Sequence, residues 1–260
     1  MRVAIIGGTG VYAIEGRQFK SHIVDTPFGQ AQVYLGQGES EDLVFLTRHG
    51  LDHSVPPHRI NYRANLKALE QLGVERILAT FAVGSLQPTI PPRSLVALDQ
   101  FIDFTHGRET TFFDGGSSGL AHVDVTEPYC PGLRERVLAL AAERGLEIRP
   151  KGTYVCVNGP RFETAAEIRM YAQLGGDVAG MTGVPEVSLA RELGIHYAAV
   201  ALSINWAAGL KGPVEIVRSG LDEIRAALLS LFVEALRSPS LGPCNCESAV
   251  LMVHPPEEAS

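Results

Sequence analysis

The sequence predicts an α/β fold, one domain over residues 1–260 whose largely parallel, twisted and mixed central sheet is flanked by helices. Three observations carry that expectation. Short apolar runs without polar alternation recur along the chain, segments of helical periodicity separate them, and several of those segments end at glycine, the residue that closes a helix in the left-handed conformation. A strand covered on both faces has no solvent side to mark with polar residues, so unbroken runs point to a sheet sandwiched between helices. With 260 residues, 45% of them hydrophobic and 20% charged, the chain can bury one core of this kind.

The first run, residues 2–6, breaks into Gly7-Gly8-Thr9-Gly10, a buried strand followed by a tight glycine loop. The second, residues 42–47, ends in Arg48-His49-Gly50. A helical pattern covers residues 61–72, and strands are expected at 76–82 and 94–98. Helices are then expected at 132–145, 164–174, 185–193 and 221–236, interleaved with strands at 152–157, 177–180 and 197–203. The proline-rich residues 87–92 and the Gly-, Ser- and Thr-rich residues 107–119 read as loops. From Ser238 onward four prolines and a Glu-Glu-Ala-Ser ending describe a C-terminal tail over 238–260 whose last residues should fray.

A formal net charge of −7, with basic residues scattered, argues against nucleic acid and anionic membrane as partners. No run approaches 18 uncharged apolar residues and no leader precedes the first strand, so the expected location is cytoplasmic. Four cysteines, Cys130, Cys156, Cys244 and Cys246, are too few and too unevenly spaced for a secreted disulfide framework, which points to a reducing compartment. Cys244-Asn245-Cys246 lacks the spacing of a zinc knuckle, and no metal site is expected.

Four strand ends are suited to an anion. Gly7-Gly8-Thr9-Gly10 offers close backbone approach and the Thr9 hydroxyl, although it is neither G-x-G-x-x-G nor a Walker loop. Arg48 and His49 place a guanidinium fork beside an imidazole, with His53 and His58 close in sequence. Ala82 leads into Gly84 and Ser85, and Thr182 follows Met181, a soft apolar side chain that fits a sugar face. On one parallel sheet such ends converge along the carboxyl edge, where α/β folds place ligands. Two further segments, Gly159-Pro160-Arg161-Phe162-Glu163 and Ser203-Ile204-Asn205-Trp206, offer a carboxylate and a carboxamide. Together these can read one flat ligand edge carrying an N–H and a carbonyl oxygen, as a 6-oxopurine does. The sequence leaves two plainer roles open: Glu163 is also placed to cap the helix that starts near Thr164, and Asn205 to form a turn.

With these motifs in order, joined by Asn61-Tyr62-Arg63-Ala64-Asn65, residues 99–103 and Glu127-Pro128-Tyr129-Cys130, nearly the whole chain resembles the trimeric purine nucleoside phosphorylase and 5′-methylthioadenosine phosphorylase family. The resemblance implies a pentosyltransferase that uses inorganic phosphate as co-substrate and no metal or organic cofactor. It implies that Thr9, Arg48, His49, the Ala82 backbone and Thr182 hold phosphate, that Met181 lies on the ribose and Phe162 on the base, and that Glu163 and Asn205 bond the base edge. His49, Glu163 and Asn205 are the expected catalytic groups. His122 resembles a position that reaches a neighbouring subunit's sugar pocket, which implies a homotrimer, with a dimer of trimers as the larger assembly.

Adenine-specific members carry a small hydroxyl residue in place of Glu163 and Asp in place of Asn205, so the resemblance implies a 6-oxopurine here. Aligned from Asn205, Leu221 occupies the place of a histidine that bonds a 5′-hydroxyl, with Ile224 one turn on, which implies a methylthio group and 5′-methylthioinosine as the preferred substrate. Two alternatives stay open: a general inosine/guanosine phosphorylase, and a dinucleotide-binding protein that would use Asp25 to read a ribose.

Overall fold

The computed structural model describes residues 1–11 and 13–253, and the expected fraying of the last residues lies outside that range. Among the described residues thirteen strands and five α-helices follow one another as β1 Arg2–Gly7, β2 Phe19–Thr26, β3 Gly29–Gly36, β4 Leu43–Thr47, α1 Tyr62–Gln71, β5 Val74–Ser85, β6 Leu95–Ala97, β7 Gln100–Phe104, β8 Leu120–Val123, α2 Pro131–Glu143, β9 Ile148–Arg149, β10 Thr153–Val157, α3 Ala165–Gln173, β11 Val178–Gly180, α4 Glu186–Glu192, β12 His196–Trp206, α5 Asp222–Leu236 and β13 Val250–Val253. Eleven strands form one sheet, and β8 and β13 form a separate antiparallel ribbon.

The apolar runs are strands because both of their faces are covered. In β1, Val3 and Ile5 pack into a cluster with side chains of α2 and α5, while Ala4 and Ile6 join the opposite cluster with those of α1 and α4. The β2–β3 hairpin was not legible in the sequence. β2 stands at the sheet edge and is largely exposed, so its residues carry no apolar run, although Thr26-Pro27-Phe28-Gly29 carries a turn signal. Asp25, the residue a dinucleotide site would need, lies on this hairpin and accepts from Gln30 Nε2 at 2.8 Å. β2 is an antiparallel edge strand here, whereas the dinucleotide fold places its acidic residue at the end of a parallel second strand.

The sheet is mixed in one specific way. β1, β4 and β12 run parallel to β5, and β7, β10 and β11 run parallel to one another but enter against β5 through β11. On one side of β5, pairing with β1 stops at Ala79 and pairing with β11 starts at Gly84. Between those ladders Thr80 to Val83 present backbone with no strand partner on that side. The carboxyl ends of β1, β4 and β11 all reach this gap, and the cavity described below opens over it.

Candidate active site

A cavity of about 510 Å³ lies over the gap and brings together Thr9, His49, Ala82, Phe162, Glu163, Met181, Thr182 and Asn205. The glycine loop reaches it by close approach. A Cβ on Gly8 would meet the Thr80 carbonyl at 2.7 Å, and Gly10 takes φ +83, so the turn can hold the exposed Thr9 at the cavity wall.

Arg48 does not line the cavity. It is fully buried beneath it, with Nε and Nη2 donating to Glu186 at 2.5 and 2.7 Å and Nη1 donating to the Thr80 carbonyl at 2.8 Å. Tyr197 Oη donates to the same carboxylate at 2.6 Å. Burial alone would make the guanidinium easier to deprotonate, but the Glu186 charge overrides that and holds it cationic. Of the five donors Arg48 carries, three are committed. A Cβ on Gly8 would stand 3.3 Å from Nη1, so this end of the guanidinium lies just behind the glycine loop.

His49 is buried, and its Nδ1 lies 2.8 Å from the Val55 carbonyl. A carbonyl can only accept, so Nδ1 carries the proton and Nε2 is the other polar atom of the ring. Burial lowers the pKa of His49, and the Arg48 charge lowers it further. On the opposite wall, the Thr182 and Gly183 amides donate to Tyr154 Oη at 3.1 and 3.3 Å, which fixes the loop and presents Thr182 to the cavity.

At the base-sized end, Thr164 caps α3, and Glu167 completes a capping box with it while pairing with Arg161. The capping task open to Glu163 is thereby filled by Glu167. Glu163 is half-buried at the cavity wall, and burial, aided by repulsion from Glu167, raises its pKa. Asn205 is 4% exposed and sits just past a register shift in the β12–β5 ladder. An irregularity of that kind re-aims a side chain. One Nδ2–H donates to the Trp206 carbonyl at 2.8 Å, leaving the second N–H and Oδ1 for a ligand. A Cβ on Gly84 would stand 3.0 Å from that Nδ2, so Gly84 keeps the carboxamide's place open.

The sequence reading placed Leu221 and Ile224 at the 5′ end of a ligand, and the structure corrects this. Leu221 is 2% exposed in the core cluster of α2 and α5, and Ile224 packs on the same cluster, because α5 turns its apolar face to the sheet. Ile216, from the segment before α5, lines the cavity instead. His122 lies on β8, paired with β13 and exposed, away from the cavity.

Two contributors were missed. The segment from His53 to Pro57 forms one wall, and its prolines gave no chemical signal. Arg108, from a loop that reads only as glycine-rich, donates through Nη2 to the Met181 carbonyl at 2.7 Å and the Asn158 carbonyl at 3.2 Å, and through Nη1 to the Val184 carbonyl. It ties the two ligand-facing loops together.

The sequence profile described as the Phosphorylase superfamily matches residues 2–237. The chain is 48% identical to the 6-oxopurine nucleoside phosphorylase of Pyrococcus furiosus, covering 96% of this chain and 97% of that one. It is 43% identical to a probable S-methyl-5′-thioinosine phosphorylase of Methanopyrus kandleri, covering 95% and 97%. The structure of methylthioadenosine phosphorylase from Schistosoma mansoni in complex with tubercidin superposes with a TM-score of 0.83 at 34% identity, over 90% of each chain. The extent of these matches, and a cavity set over the carboxyl ends of a mixed sheet, make this chain a member of the Phosphorylase superfamily.

Proposed function

We propose that this protein catalyses the phosphorolysis of 6-oxopurine nucleosides, with 5′-methylthioinosine preferred, yielding hypoxanthine and 5-methylthioribose 1-phosphate from that substrate. One observation carries the choice of base. Glu163, the cavity carboxylate released from helix capping, and Asn205, with one N–H uncommitted, face a single space. A 6-oxopurine supplies the N1–H that Glu163 accepts and the O6 to which Asn205 donates. Adenine supplies neither.

In this reading Thr9, His49, the Ala82 backbone and Thr182 hold phosphate, with Arg48 acting from behind Gly8. Met181 lies against the ribose and Phe162 against the base. A phosphate oxygen bonds to C1′ as the C1′–N9 bond breaks, and the electron pair of that bond passes to the purine. The sugar carries positive character in the transition state and meets the phosphate charge. The purine's growing negative charge is spread toward O6 and met by Asn205, a bond that strengthens as the reaction proceeds. The leaving base takes its proton from solvent. No cofactor enters these steps.

The apolar Ile216 at the cavity supports a methylthio group. A general inosine/guanosine phosphorylase is the second reading, favoured by the name of the 48% identical relative. Phosphate-dependent kcat/KM for 5′-methylthioinosine, inosine, guanosine and 5′-methylthioadenosine decides between them. The proposal expects the first to be fastest and the last slowest; a clear preference for inosine removes the methylthio assignment, and a preference for 5′-methylthioadenosine removes the base assignment.

We further read the protein as one domain acting in the cytoplasm as a homotrimer, with His122 at an interface. The exposed Leu120, Leu251, Met252 and Val253 on the ribbon that carries His122 support association there. No helix among the described residues is long and apolar enough to cross a membrane.

A further inference from the structure

Three of the four cysteines meet a histidine far from the cavity. Cys130, His196, Cys244 and Cys246 come from the residue before α2, the first residue of β12 and the C-terminal tail, yet their ligand atoms all lie within 4.8 Å of one another. His196 Nδ1 stands 3.5 Å from Cys130 Sγ and 3.3 Å from Cys244 Sγ. A tetrahedral zinc with Zn–S of about 2.3 Å and Zn–N of about 2.0–2.1 Å separates its S and N ligands by about 3.6 Å and its sulfurs by about 3.8 Å. The two N–S distances stand at that spacing, and no pair in the set exceeds the tetrahedral separation by more than about 1 Å.

The surroundings are those of an anionic centre. Arg191 is 1% exposed and forms no ion pair with a carboxylate among the described residues. Its Nη1 points at Cys246 Sγ at 3.8 Å, its Nη2 donates to Asn245 Oδ1 at 3.0 Å, and its Nε donates to the Asp124 carbonyl at 2.8 Å. A buried cation needs an opposite charge. Three thiolates around one divalent ion carry a net charge of about −1, which is what Arg191 lacks. The same arginine grips Asn245 between the two tail cysteines and so sets both sulfurs in place. On the far side of the imidazole, the exposed Glu247 carboxylate lies 3.7 Å from His196 Nε2, beyond a direct hydrogen bond but on the side from which a carboxylate can take a ligating histidine's other N–H.

We propose that Cys130, His196, Cys244 and Cys246 bind one structural zinc ion. Four protein ligands close the coordination sphere, which suits a structural site and leaves no open position for chemistry. Binding releases three thiol protons to solvent and involves no change of oxidation state. The site clamps the tail, and with it β13, to the start of β12 and the head of α2, closing a loop of roughly 110 residues between Cys130 and Cys244. It lies at the opposite end of β12 from Asn205, roughly 30 Å away at about 3.3 Å per residue. The C-x-C spacing fails any knuckle pattern because two of the ligands are supplied by tertiary structure.

The test uses the untagged full chain, purified under reducing conditions and reconstituted with zinc. Elemental analysis should find about one zinc per chain after gel filtration, and titrating the thiols with a mercurial should release it to a colorimetric chelator. Replacement by Co(II) should give the thiolate charge-transfer band and the intense d–d bands of a tetrahedral centre. Cys244→Ser, at a half-exposed position, should retain at least tenfold less zinc and lower Tm by about 5 °C or more. The Co(II) spectrum needs no variant, so it decides the matter even if Cys244→Ser fails to fold. Less than about 0.1 zinc per chain, an octahedral Co(II) spectrum, or peptide mapping that finds a disulfide among the three cysteines under these conditions overturns the proposal.

Discussion

Replacing Asn205 by Asp tests the reading of the base most directly. Asn205 is 4% exposed, and one of its Nδ2 hydrogens is bound to the Trp206 carbonyl at 2.8 Å. An ionised Asp there loses both donors and sets a carboxylate oxygen against that carbonyl, so burial and repulsion raise its pKa. When it protonates, the hydroxyl restores the bond to Trp206 and the remaining oxygen can only accept. Toward a 6-oxopurine the variant loses a hydrogen bond of about 1 kcal/mol and leaves two acceptors facing each other at a further cost of about 1–3 kcal/mol. The sum of about 2–4 kcal/mol corresponds to a fall of roughly 30- to 1000-fold in kcat/KM. A 6-amino group can donate to the new acceptor, so 5′-methylthioadenosine suffers less or improves. Initial rates with both nucleosides at saturating phosphate should move the ratio of kcat/KM toward the adenine nucleoside by about 10- to 1000-fold. An unchanged ratio in a folded variant would refute the claim that Asn205 reads position 6.

Three further outcomes rest on the same site. Glu163 accepts from N1–H most strongly when ionised, and its pKa is raised by burial, so kcat/KM should fall as pH drops through a value above the ordinary glutamate range. Glu163→Gln should lower kcat/KM about 10- to 100-fold at neutral pH and abolish that acidic limb; a pH–rate profile that keeps the limb contradicts the assignment. Arg48→Met leaves Glu186 buried without its cation, and urea melts should show a loss of about 3–5 kcal/mol; a loss below about 1 kcal/mol means the pair is not the anchor described.

Much of the fold could be read from the sequence because most sheet strands are covered on both faces, and continuous apolar runs such as residues 197–203, too short for an ordinary buried helix, mark such strands. The exposed β2 and the short β9 and β13 lacked that signal. In the cavity, the residues at the ends of apolar runs were legible one segment at a time. Arg108 was not, since its partners are backbone carbonyls of loops some 50 to 76 residues away. Leu221 was misplaced because an alignment counted from Asn205 crosses a loop whose length sequence does not constrain, and the helix that follows is oriented by its apolar face.

The gap in the β5 ladder gives the molecule a division of labour. The groups proposed to hold phosphate are fixed to the sheet by the Gly8 turn, the Arg48–Glu186 pair and the Tyr154 clamp on Thr182. The residues proposed to meet the nucleoside sit on the 160–163 loop, the irregular end of β12 and the segment around Ile216. A lineage can therefore exchange one base or 5′ group for another by a few substitutions in these peripheral pieces while the phosphate-holding frame is inherited intact. Relatives named for different nucleosides, all aligned over nearly the whole chain, are what such a separation would leave behind.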